Sequence, residues 1–375
     1  MDRESVGVFR PHAVDTMKLD IDKMRNEFFK KSLSVGYHNV QYTWMQLMLM
    51  IISCIRSLES FEEGATSPSA QTLRDRLNLE GSWLESFHES MIRIARFAMK
   101  KFGRYQWYIS VDETYVPFFG DRKKLNDQLQ RMKLGAFVHG YHADTPGATG
   151  SFCFLVISLC CCKIRIPVAI RMMRVRERYR PWLEPQLARL RKLAPKAIIL
   201  ADRGFGKATW FYDMLDQLHA KYIVRTPVRK KENKNKIAAG ATQFQYWMKE
   251  SKTNNKVLLT VHVARDTKNR KYFLASNIRS KSGKYLLAAY LNRWDLENIF
   301  KDADRVELPT SSRNPLMRLF CIVLSFFLFT LWQLQAILNR TVWSLRGFVK
   351  KLITTLCKLL SCIVSTAGQI QHHPP

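Results

Sequence analysis

Negative charge is scarce in this chain. Its 31 Asp and Glu face 60 Lys and Arg, a formal net charge of +29 over 375 residues. That balance points to a polyanionic partner, either nucleic acid or an acidic membrane face, and does not choose between them. An uninterrupted apolar run of membrane-spanning length, about 20 residues, is also missing. "LFCIVLSFFLFTLW" (319–332) stops at Gln333, and "WMQLMLMIISCI" (44–55) is shorter and carries Gln46. Both read as buried core helices, and no membrane partner is expected. The opening "MDRESVGVFR" has no apolar signal core. None of the eight cysteines falls in a CxxC pair or a Cys/His spacing suited to zinc. Cys160 to Cys162 alternate faces of a strand and cannot converge on one ion. Internal repeats and low-complexity tracts are absent too.

What is present is a packed chain, 47% hydrophobic. Residues 1–104 read as a helical region. "SPSAQTLRDRLNL" (67–79) opens on cap residues and spaces Leu73 and Leu77 four apart around Arg74 and Arg76. Such a helix suits a DNA groove and equally an ordinary solvated surface. From 108 onward strands alternate with helices, an α/β signature. "RKKENKNK" (229–236) reads as a hydrophilic basic loop, followed by strands near 243–249, 257–264 and 271–277. The expected units are 1–104, helical and DNA-binding; 105–228 with 278–338, the α/β core; 229–277, a β-rich insertion; and 339–375, a basic tail.

Three short motifs carry the chemistry. In "YISVDETYVPFFG" (108–120), a short strand runs into Asp112 and is stopped by Pro117 and Gly120. A carboxylate there needs a cation, hydrogen bonds or a metal to offset burial. In "ILADRGFG", Asp202 sits at the exit of a strand and Gly204 and Gly206 allow a tight turn. Strand C-terminal ends are where open α/β sheets bind ligands. Two carboxylates on neighbouring strands repel unless a cation lies between them, which suggests a shared divalent metal. In "YLNRWDLENIF" (290–300), Tyr290, Arg293 and Glu297 share one face of a helix. Alone, Arg293 and Glu297 read as a surface ion pair.

Together the three motifs resemble the DDE transposases of bacterial and archaeal insertion sequences, in the branch with a Tyr–x2–Arg–x3–Glu signature. The resemblance covers roughly 105–335. It implies a ribonuclease-H-like core with a β-rich insertion, and Asp112, Asp202 and Glu297 as catalytic and metal-binding residues. Two Mg²⁺ ions are implied, with Mn²⁺ as a substitute, for DNA strand cleavage and transfer. Tyr290, Arg293, Arg203 and Lys301 are the implied DNA contacts. Many relatives carry a Lys seven residues after the Glu; here that position is Asp304. Double-stranded DNA at element ends and target, a homodimer in a synaptic complex, and a cytoplasmic, nucleoid-associated location complete the expectation. The alternative is a catalytically inactive or domesticated DNA-binding descendant.

Overall fold

The computed structural model describes residues 83–339 except 141–144, 163, 229–230, 250–255, 279–280 and 305–312, together with 344 and 347–348. The side chains of residues 83, 86, 231–232, 246, 294–297, 304 and 336–339 lie outside the described set. So do the helices expected over 1–82 and nearly all of the 339–375 tail.

Nine strands among the described residues join one mixed sheet. At its centre is β1 (Tyr108–Phe118). The sequence predicts a stop at Pro117, yet β1 runs through it. On one edge β1 pairs along its whole length with β3 (Gly150–Cys161), antiparallel. On the other edge it pairs with β5 (Ile198–Ala201) only over Tyr108–Val111, in parallel. Beyond Val111 that second edge has no ladder among the described residues, so a proline without an N–H is tolerated there. Asp112 therefore stands at the end of the parallel ladder, not at the end of the strand.

The outer edge of β3 carries β2 (Val138–His139) and β4 (Ile164–Met173) in succession, both antiparallel. β6 (Lys221–Arg225) continues in parallel beyond β5. β7 (Gln243–Lys249), β8 (Lys256–Arg265) and β9 (Lys271–Ser276) form a meander that docks on β6 through β9, antiparallel. The strand order is β2–β3–β1–β5–β6–β9–β8–β7, with β4 on β3. The three insertion strands thus extend the central sheet. Of the basic loop expected over 229–236, residues 231–236 instead belong to a helix, Lys231–Ala238.

Among the described residues, eight helices of four residues or more dress the sheet. They are α1 (Trp83–Lys101), α2 (Arg122–Arg131), α3 (Arg180–Leu193), α4 (Thr209–Gln217), α5 (Lys231–Ala238), α6 (Gly283–Leu291), α7 (Trp294–Asp304) and α8 (Pro315–Asn339). α3 and α4 close one face with Leu183, Leu187, Phe211 and Leu215 against Ile109, Val111, Ile199 and Ala201. The other face takes α6 over β5, β6, β8 and β9, with Leu286 and Tyr290 against Leu200, Ile223 and Leu274. Next to it, α7 and α8 pack Ile299, Phe320 and Phe327 on Phe152, Phe154 and Val156. α8 is longer than the 14-residue apolar run suggested. Over Pro315–Gln335 it is long and apolar enough to cross a membrane, but 78% of that stretch is buried inside the fold. A helix apolar all round is at home in a large core.

Among the described residues β4 pairs with β3 alone, and α1 meets its other side. His88 Nε2 accepts a hydrogen bond from the Ile170 N–H at 3.1 Å. Only the neutral imidazole can accept, and burial pulls its pKa from 6.5 to about 4. The unfolded chain takes up a proton below pH 6.5 that the folded chain refuses until about pH 4. Stability should therefore be full above pH 6.5, fall as pH drops toward 4, and level off below that. The total is about 3 kcal/mol at about 1.4 kcal/mol per pH unit. Denaturant midpoints of His88→Gln against wild type over this range check it: the variant should lose that part of the slope.

Candidate active site

Alternation along the strands decides what the carboxylates face. On β1, Ile109 and Val111 enter the core under α3 and α4, so Ser110 and Asp112 point to the α6 side. On β5, Ile199 and Ala201 face α4, while Ile198 and Leu200 pack under α6. Asp202 follows in the same phase as Leu200. The register pairs Ser110 with Leu200 and Val111 with Ala201, so the next step sets Asp112 beside Asp202. Neighbouring strands lie about 4.8 Å apart. Two motifs 90 residues apart in the chain thus deliver carboxylates to one level of one sheet face.

Each carboxylate is held differently. Asp112 is only 8% exposed, and the cation that offsets its burial is Arg293, itself 7% exposed. Arg293 Nη1 donates to Asp112 Oδ2. Asp112 Oδ1 accepts the Glu113 N–H at 3.0 Å. Asp202 is half-buried, and its Oδ1 accepts from Gly204 N at 2.7 Å and Phe205 N at 3.4 Å. That closes the turn the two glycines permit. Gly206 is needed for space: a Cβ there would come within 1.9 Å of the Arg225 carbonyl oxygen.

The third motif is not one continuous helix. α6 ends at Leu291 with Asn292 as its cap, and α7 starts at Trp294. Tyr290 closes α6, Arg293 occupies the joint, and Glu297 lies on α7, four residues on. The Glu297 side chain lies outside the described set. Across the joint, Arg293 N bonds to Tyr290 O at 2.9 Å and Arg293 Nε donates to the Tyr290 hydroxyl at 3.2 Å. The break turns Arg293 inward, where its described carboxylate partner is Asp112. Burial raises the Tyr290 phenol pKa; Arg293 and Arg225 pull it down and Asp202 pushes it up. Three charged groups therefore act on one hydroxyl.

Arg203 is exposed at the Asp202 turn, and Lys301 is exposed on α7. The aromatic residues after Asp112 divide. Phe118 is buried against Phe152 at 5.7 Å, and Phe119 is 52% exposed. Tyr115 lies on the opposite sheet face, where its hydroxyl donates to Glu113 Oε2. The sequence reading missed Arg225. The rule that found Asp112 and Asp202 also applies to "KYIVRT", whose strand ends at Arg225.

Among the described residues no third His, Cys, Asp or Glu joins the two aspartates as a metal-binding group. The donors present are hard oxygens on adjacent strands, which fit Mg²⁺ or Mn²⁺ better than zinc.

No family model matches the chain, and no curated protein matches it in sequence. Among solved structures it is similar to a piggyBac transposase, seen in a synaptic complex with hairpin DNA. The TM-score is 0.51 at 11% identity, over 90% of this chain and 77% of that one. The chain thus shares a fold with a transposase. A Ciona intestinalis endonuclease V, in complex with an inosine-containing DNA, aligns with a TM-score of 0.25 at 8% identity. It covers 46% of this chain and 71% of that one, a likeness too slight to bear on the fold.

A buried ion pair gives a sharp mutational signature. Arg293→Ala leaves Asp112 buried without its cation and should cost about 3–5 kcal/mol. Asp112→Asn combined with Arg293→Gln should cost clearly less than the two single changes added together. Urea unfolding of the four proteins measures the coupling, and simple additivity would mean that the pair is not formed.

Proposed function

We propose that the chain is a transposase that cleaves and joins DNA strands at a site built on Asp112, Asp202 and Glu297. The observation that carries this is the register: Asp112 and Asp202 side by side on one face, beneath the α6–α7 joint. The shared fold with a transposase supports it, as does the cationic excess. The strand order fits a ribonuclease-H-like core, with β4, β3 and β1 antiparallel and β5 and β6 parallel to β1. The Tyr290, Arg293 and Glu297 signature is what supports the insertion-sequence branch within this reading; the likeness to piggyBac reaches only the fold. Assembly as a dimer on two element ends belongs to the same reading.

Asp112, Asp202 and Glu297 would hold divalent magnesium, with manganese substituting. Bound there, such ions lower the pKa of an attacking water or 3′-hydroxyl and stabilise the leaving 3′-oxygen. The chain's own residues do the rest. Arg293 sets a positive charge against buried Asp112, and Tyr290 orients Arg293. The Gly204 and Phe205 amides fix the Asp202 carboxylate. Arg203 and Lys301, both exposed, serve the flanking phosphates.

Two observations favour a second reading. Arg293 already satisfies Asp112 Oδ2, and Asp304 stands where relatives place a Lys. Both suit a descendant that binds DNA without cutting it. A duplex carrying the ends of the chain's own element, in Mg²⁺ or EDTA, separates the two. Nicking at the element boundary should need the metal. It should fall at least about 100-fold in Asp112→Ala, Asp202→Ala and Glu297→Ala, or about 3 kcal/mol of barrier each. Salt-sensitive binding without nicking, in Mg²⁺ or Mn²⁺, would select the inactive descendant.

A further inference from the structure

The parallel part of the sheet has three strand ends, and only two are used by the aspartates. The register continues across it: Val111 beside Ala201, and Ala201 beside Val224. One residue further on, Asp112, Asp202 and Arg225 stand in a row. Ile223 packs under α6 with Leu200, so Arg225, two residues later, shares the face of the carboxylates.

The Arg225 backbone is clamped to the turn that shapes Asp202. The Thr226 hydroxyl donates to Gly206 O at 3.0 Å, and Gly206 itself packs directly on the Arg225 carbonyl. Its guanidinium lies over the Tyr272 ring, 5.3 Å from the centroid. The Tyr272 ring packs on Tyr290 at 6.4 Å, and its hydroxyl meets Asp266 Oδ2 at 3.5 Å. Among the described residues no carboxylate forms an ion pair with Arg225. Arg293, by contrast, is committed to Asp112.

We propose that Arg225 is the phosphate-binding cation of the site, gripping the DNA phosphodiester that lies over Asp202. This rests on the proposed function. A phosphodiester brought to two aspartates meets like charge, and a fixed cation on their flank offsets it. A guanidinium can take two non-bridging oxygens through parallel N–H bonds, and stacking on an aromatic ring holds its plane. The plainer role, a stack that ties β6 to β9, is already served by the ladder of Ile223, Val224 and Arg225 with Ser276, Ala275 and Leu274.

The test is DNA binding in EDTA, so that neither metal nor turnover contributes. Anisotropy of a labelled element-end duplex gives the association constant between about 50 and 200 mM salt. One phosphate contact contributes about 0.9 to the slope of log K against log salt. Arg225→Gln should flatten the slope by about that amount. Arg225→Lys should retain it, and Lys221→Gln, at the far end of the same strand, should leave it unchanged. Replacing the linkage at the element boundary with a neutral methylphosphonate should abolish the difference between wild type and Arg225→Gln. If wild type binds with a steep slope and Arg225→Gln matches it, Arg225 is structural and the inference fails while the transposase reading stands. If the difference survives the methylphosphonate, the contact is not at the reacting phosphate, and the placement over Asp202 fails. If wild type itself shows no salt-dependent binding, both readings fail. Should Arg225→Gln not fold, Arg225→Lys decides: equal slopes with lower cleavage of the normal duplex fit a bidentate grip, and unchanged cleavage overturns it.

Discussion

The buried pair of Asp112 and Arg293 organises this molecule. A carboxylate on the central strand, under a helical layer, is unfavourable by several kcal/mol if left alone. Arg293 meets it from the joint between α6 and α7, so one contact locks both helices over the C-terminal end of the parallel ladder. The joint has its own logic. An unbroken helix would carry residue 293 on round the turn, whereas the cap at Asn292 frees its side chain to reach across to β1. Sheet, helix break and charge are therefore one arrangement.

The opposite face of β1 shows the same economy with neutral groups. Glu113 points away from Asp112, and Tyr115 donates to it. Tyr179 bears on the same carboxylate, and Cys153, buried on β3 opposite Tyr115, has its thiol pushed up to about 12 by burial and Glu113. Both tyrosines stay protonated, since burial and Glu113 raise their pKa values. Consecutive residues on one strand thus anchor two layers: Asp112 through an arginine, Glu113 through phenols. The Glu113 backbone N–H, bound to Asp112 Oδ1, joins the two anchors.

Much of this was legible in the sequence because strand alternation and strand-end carboxylates are local signals. Ile109, Val111, Ile199 and Ala201 announced buried strands, and Asp112 and Asp202 stood out at their ends. The identity of the compensating cation was not legible. Burial called for a cation, hydrogen bonds or a metal, and Arg293 lies 181 residues away in sequence, so only the fold could select it. The helix break at 292 was hidden because Asn and Arg do not stop helices by propensity. The extent of β1 past Pro117 depended on an unpaired edge, which is a property of the sheet and not of the segment. Arg225 could have been found by applying the strand-end rule once more. Its stack on Tyr272 required the β6–β9 pairing that no periodicity predicts.

The central claim is that Asp112 and Asp202 form one cation site on a shared face. Electron paramagnetic resonance of Mn²⁺ titrated into wild type, Asp112→Asn and Asp202→Asn tests it without DNA or turnover. The account predicts a protein-bound Mn²⁺ population in wild type that weakens at least about tenfold in each variant, a difference of about 1.4 kcal/mol. Binding that is absent in wild type, or indifferent to both substitutions, would contradict it and leave Asp112 as the buried half of a structural ion pair.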